Sequence, residues 1–162
     1  MKIKVLFVCL GNICRSPTAH GVFLRKLEQS VTEDGRCLAE LVEVDSAGTA
    51  DWHVGKTPDT RSQMAARKRD YDLSSLRARQ VANEDFEDFD FILAMDKANL
   101  QTLLERCPRP YRNKLALFLD FAEGPELEVP DPYYGGVEGF NQVLDLVEAA
   151  SDGLIRRLLS RF

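Results

Sequence analysis

Histidine is scarce in this sequence: His20 and His53 are the only two in 162 residues. Its four cysteines include no C-x2-C pair, so no ligand set has the spacing of a zinc site, and neither a metal ion nor another cofactor is called for. Cysteine is also too sparse for a fold built on disulfides. Cys9, Cys14, Cys37 and Cys107 read as free thiols of a chain kept in a reducing compartment, the cytoplasm. No apolar run reaches membrane-spanning length and no signal-peptide pattern precedes the first apolar segment, so membrane insertion is not expected. Positive charge is not in excess either. Twenty-one Lys and Arg stand against 26 Asp and Glu, a net charge of −5, which argues against nucleic acid as a partner. Internal repeats, low-complexity tracts and linkers are missing. What is there, 44% hydrophobic and 29% charged residues, is the make-up of one ordinary soluble domain spanning 1–162.

Strand and helix signals alternate along the chain. Ile3 to Val8 is a near-continuous apolar run, as expected for a strand covered on both faces. Ser16 followed by Pro17 reads as an N-cap and first helical residue, opening a helix to about Gln29 with Ala19, Val22, Phe23 and Leu27 inward. His20 falls on another side of it and is expected at the surface. Leu41 to Asp45 is a second strand, and Asp59 caps a helix to about Lys68 with Met64 and Ala65 inward. Asn83 to Phe89 is a short acidic helix or turn with solvated carboxylates. Phe91 to Met95 is a third strand, Asp96 caps a helix to about Arg106, and Lys114 to Leu119 is a fourth strand. A long amphipathic helix, Gly139 to Leu159, closes the chain, with Gly153 a point where it bends or breaks. The fold class is therefore α/β: a single three-layer domain whose parallel sheet carries helices on both faces.

Between the first strand and first helix lies a short loop, Cys9-Leu10-Gly11-Asn12-Ile13-Cys14-Arg15-Ser16-Pro17. Inward-pointing amides of such a turn, together with a helix N-terminus, make a cradle for phosphate. Arg15 adds a planar fork that matches two phosphate oxygens. Leu10, Gly11, Asn12, Ile13, Cys14 and Ser16 are the remaining phosphate-binding candidates. A thiol near pKa ~8.5 is mostly protonated at neutral pH, but groups that bind a phosphate dianion also stabilise a thiolate. Cys9 is therefore the candidate nucleophile, with Ser16 able to donate a hydrogen bond to its sulfur. Ser46 lies where the second strand ends, as either a turn serine or a neighbour of this loop.

The loop resembles the signature of the low-molecular-weight protein tyrosine phosphatases. Further matches follow in order: Asp45-Ser46-Ala47-Gly48-Thr49, Trp52-His53, Ala78-Arg79-Gln80, Ala94-Met95-Asp96 and Val129-Pro130-Asp131-Pro132-Tyr133-Tyr134-Gly135. The resemblance implies a four-stranded parallel sheet in the order 2-1-3-4 and a metal-independent protein-tyrosine-phosphatase working through a cysteinyl phosphate. It assigns Cys9, Arg15 and Asp131 to catalysis, with Asp131 as general acid and then base. It makes Ser46 a structural support acting through Asn12, and Trp52, Tyr133 and Tyr134 walls of the substrate crevice. Many relatives carry a histidine just before the Ala-Arg-Gln element; Leu76 occupies that neighbourhood here, so their histidine-linked network around Ser46 is not carried over, while the chemistry at Cys9 is unaffected. The implied partner is a tyrosine-phosphorylated protein or peptide, and Tyr133 and Tyr134 are themselves candidate targets of a tyrosine kinase. The chain is expected to be a monomer or weak dimer. Arsenate reduction, which uses a similar loop with a relay of downstream cysteines, is disfavoured because no cysteine lies between Cys37 and Cys107. A silent phosphate-binding module is disfavoured because Cys9, Arg15 and Asp131 are all present.

Overall fold

The computed structural model describes residues 2–162. Four parallel strands, β1 (Ile3–Cys9), β2 (Val42–Gly48), β3 (Phe91–Ala94) and β4 (Leu115–Leu117), form one sheet in the order β2-β1-β3-β4. Around it lie α1 (Arg15–Glu28), α2 (Thr60–Arg67), α3 (Asn83–Asp88), α4 (Lys97–Arg106) and α5 (Val137–Leu159). The expected strand order is the observed one.

β1 sends alternate side chains into two cores, which explains its unbroken apolar run. Val5, Phe7 and Cys9 face the layer built by α1, α2 and α5, while Leu6 and Val8 face the layer of α3 and α4. Phe7 is fully buried, its ring edge-on to Phe23 at 5.5 Å and to Phe118 at 4.8 Å. Burying a side chain of this size contributes about 1.5–3 kcal/mol.

Several expectations are corrected. α1 begins at Arg15 with Cys14 at the N-cap, so Pro17 is the third helical residue and Ser16 does not cap. Ser16 is instead drawn to Cys9, and the helix terminus stays open for an anion. β2 runs on through Gly48, which places Ser46 inside a strand and not in a turn. Met64 points outward and is 62% exposed. Asp85 in α3 is buried rather than solvated, because it takes two hydrogen bonds from the Arg79 guanidinium and one from the Ala82 amide. β4 is shorter than expected, and its end winds into a 3-10 turn over Phe118–Phe121. α5 is not interrupted at Gly153. Glycine stands there because an added Cβ would lie 1.7 Å from the Phe121 carbonyl oxygen.

Candidate active site

β1 ends at Cys9 and hands the chain to the loop that enters α1, at the C-terminal edge of the sheet where open α/β folds bind ligands. The loop carbonyls are tied outward. Cys9 O accepts from Thr49 N at 2.9 Å, Leu10 O from Ala50 N at 2.9 Å, and Ile13 O from Asp59 N at 2.8 Å. This approach demands glycine at position 48, where a Cβ would stand 2.7 Å from Leu10 O. With the carbonyls turned away, an amide faces inward: Asn12 N donates to the Cys9 sulfur at 3.3 Å. The Ser16 hydroxyl meets that sulfur at 3.0 Å.

Asn12 holds the turn in shape with φ of 58°, a left-handed conformation that asparagine tolerates better than most residues. Its side chain faces away from the cleft. Oδ1 accepts from Arg79 N at 3.0 Å, while Nδ2 donates to Ser16 Oγ at 2.7 Å and to Ser46 Oγ at 3.1 Å. Ser46 is thus in contact with Asn12. His20, expected at the surface, is buried, and its Nδ1 lies 3.3 Å from Ser46 Oγ. A histidine does therefore reach Ser46, but from α1 and not from the position of Leu76.

Arg15 is 3% exposed, and its charge is matched by acceptors from distant segments. Nη1 donates to Asp96 Oδ2 at 2.6 Å and to Val129 O at 3.0 Å, and Nη2 lies 3.7 Å from Asp131 Oδ2. Burial opposes the charge, yet Cys9, Asp96 and Asp131 together raise the guanidinium pKa further. Asp96 reads as a helix cap at the end of the Ala94-Met95-Asp96 match, and a cap it is, since Oδ1 accepts from Asn99 N at 2.7 Å. Its other oxygen holds Arg15, a role the sequence reading missed. Its place just past the end of β3 was the available signal. Cys14 sits in the same loop as Cys9 but is a different thiol: burial pushes its pKa up to about 12, so at neutral pH it stays protonated.

Val129 N donates to Met95 O at 2.7 Å, which docks the following segment beside β3 and carries Asp131 to the cleft. Asp131 Oδ1 accepts from Tyr133 N at 3.1 Å. The cleft, of about 280 Å³, has Cys9, Ile13 and Arg15 at its floor, with Trp52, His53, Asp131, Tyr133 and Tyr134 around it. Trp52 is 66% exposed and Tyr134 95%, so both stand at the rim, while Tyr133 packs edge-on to Tyr134 at 4.9 Å. His53 lies partly buried against Gly11, whose added Cβ would come 2.9 Å from the imidazole Cδ2. Among the described residues no group of three or more His, Cys, Asp or Glu could hold a metal ion.

A family model described as low molecular weight phosphotyrosine protein phosphatase matches residues 4–161. The low molecular weight phosphotyrosine protein phosphatase of Schizosaccharomyces pombe is 44% identical over 139 residues, 85% of each chain. That of Homo sapiens is 41% identical over 144 residues, 86% of this chain and 85% of the other. Among solved structures, a protein tyrosine phosphatase from Entamoeba histolytica with Hepes in the active site superposes with a TM-score of 0.90 at 42% identity, covering 99% of both chains.

Proposed function

This chain belongs to the low molecular weight phosphotyrosine protein phosphatase family and hydrolyses phosphotyrosine, and on that premise we propose that turnover runs through a cysteinyl phosphate on Cys9. The observation that carries this reading is the setting of the Cys9 sulfur. It receives an amide N–H at 3.3 Å, meets a hydroxyl at 3.0 Å, and shares a cleft with a buried guanidinium and a carboxylate. Such a setting favours both a thiolate and the phosphoryl group it attacks.

In the first step the sulfur attacks phosphorus in line with the phenolic oxygen; the S–P bond forms as the P–O bond breaks. Asp131 delivers its proton to the departing oxygen. Arg15, whose Nη1 is fixed by Asp96 and Val129, offers its remaining edge to the phosphoryl oxygens along with the loop amides from Leu10 to Arg15. In the second step Asp131 takes a proton from water, the water oxygen attacks phosphorus, and the sulfur departs as a thiolate stabilised by Ser16. Each charge that develops is met by a group of this chain, so the sequence of steps needs no metal ion. Trp52, Tyr133 and Tyr134 are assigned to the substrate ring. Tyr134 is exposed enough to serve as a kinase target as well.

The four cysteines are unpaired, which supports a cytoplasmic setting, and a monomer or weak dimer is the expected state. The decisive measurement is turnover of p-nitrophenyl phosphate by wild type and Cys9→Ser. We expect a loss of at least about 10⁴-fold, with a phosphoenzyme trapped only on the wild type. Turnover retained by the serine variant would refute the reading.

A further inference from the structure

The hydrogen bonds beneath the phosphate loop have a direction that can be worked out. A backbone N–H can only donate, so the Arg79 amide at 3.0 Å fixes which end of the Asn12 side chain is the oxygen. Both Asn12 Nδ2 protons are then spent on Ser16 Oγ at 2.7 Å and Ser46 Oγ at 3.1 Å. Each serine accepts from Asn12 and has one proton left to give. For Ser16 the near partner is the Cys9 sulfur at 3.0 Å, with Ala47 O more distant at 3.4 Å. For Ser46 the partner is His20 Nδ1 at 3.3 Å. That contact satisfies Ser46 only if Nδ1 carries a lone pair, which requires a neutral imidazole with its proton on Nε2.

We propose that His20 is a positioning residue of the phosphatase site: as the neutral acceptor for Ser46 it fixes the Asn12 amide, and through it aims the Ser16 hydroxyl at the Cys9 sulfur. The inference rests on Cys9 being the nucleophile. A protonated His20 would offer N–H to Ser46, which would then accept twice and lose the acceptor for its own proton. The left-handed turn at Asn12 would lose part of its support.

Burial favours the neutral ring. It lowers the His20 pKa, opposed by Asp45 on β2, which is itself paired with Arg79 at 3.0 Å. The imidazole lines a cavity of about 160 Å³. Arg25 and Glu28 of its own helix face that cavity, as do Asp70, Tyr71 and Asp72 from the segment after α2. The unfolded chain takes up the histidine proton near pH ~6.5, and the folded chain only at lower pH. Stability contributed by neutral His20 is therefore complete above ~6.5 and declines as the pH falls below it.

The test compares wild type, His20→Asn and His20→Leu, with Cys9→Ser assayed alongside. Asparagine restores an acceptor; leucine keeps bulk without one. Expected for His20→Leu is a fall in kcat on p-nitrophenyl phosphate of about tenfold, with KM little changed and slower alkylation of Cys9 by iodoacetate at neutral pH. His20→Asn should recover most of both rates. Equal rates for the two variants, whether both high or both low, would overturn the inference. Should either variant fail to fold, ¹⁵N-histidine spectra of the wild type decide: near pH 6 His20 should be neutral with its proton on Nε2, and a cation or an Nδ1–H form would overturn the proposal. An inactive Cys9→Ser beside unaffected His20 variants would remove this inference alone, whereas an active Cys9→Ser would remove the mechanism beneath it.

Discussion

Cys9 and Arg15 at the floor of the cleft, and Asn12 and Ser16 beneath it, are each no more than 3% exposed, whereas at the rim Trp52 is 66% exposed and Tyr134 95%. The floor is held from every side. Arg15 is gripped by the ends of two other segments, and Asn12 ties the loop to β2 and to the Arg79 backbone. The rim touches little beyond itself: Tyr133 packs on Tyr134, and the Arg61 guanidinium lies 5.5 Å from the Tyr133 ring. A transition state of fixed geometry is best met by groups that cannot move, because preorganised donors need no rearrangement as charge develops. A phosphotyrosine within varied protein surroundings is better met by amphipathic rings free to adjust.

Asp131 strains this division, since its side chain is 42% exposed on the rim segment yet is assigned to the chemistry of the floor. Asp131→Ala should lower kcat about 10²–10⁴-fold for phenyl phosphates with poor leaving groups and spare those with very good ones. A series of substituted phenyl phosphates measures this, and equal losses across the series would contradict the role. Arg15→Lys keeps the charge but loses the planar fork and its grip on Asp96 and Val129, so kcat should fall about 10²–10³-fold. If the lysine enzyme kept near-normal kcat, the floor would be less exacting than its hydrogen bonds imply. Trp52→Ala should act on the rim alone. KM for a phosphotyrosine peptide should rise about 3–10-fold, about 1 kcal/mol, with kcat for p-nitrophenyl phosphate almost unchanged. A large kcat loss there would dissolve the distinction between floor and rim.

Much of the floor was readable along the chain because it is nearly contiguous. Cys9, Gly11, Arg15 and Ser16 lie within one turn between an apolar run and an amphipathic helix, and turn chemistry is local. Errors arose where a residue has a sufficient local explanation and a second, distant partner. Ser16 serves Cys9 as expected but does not also cap α1, and Asp96 is a cap that also holds Arg15. Asp85 looks like one of a run of solvated carboxylates until Arg79 is brought against it. His20 departs from the apolar stripe of α1, and nothing in the helical period shows that β2 passes close enough for Ser46 to meet it.

The order of strands and helices, the anion-holding turn and the thiol at its head are properties of neighbouring residues, so the sequence alone determined them. Tertiary structure decided which groups complete them. Arg15 and Asp96 are 81 positions apart, and Ser46 and His20 are 26 apart. No local preference encodes such pairs. They form because the sheet brings its strand ends together at one edge, where a buried charge or hydroxyl must find a partner or bear the full cost of leaving water.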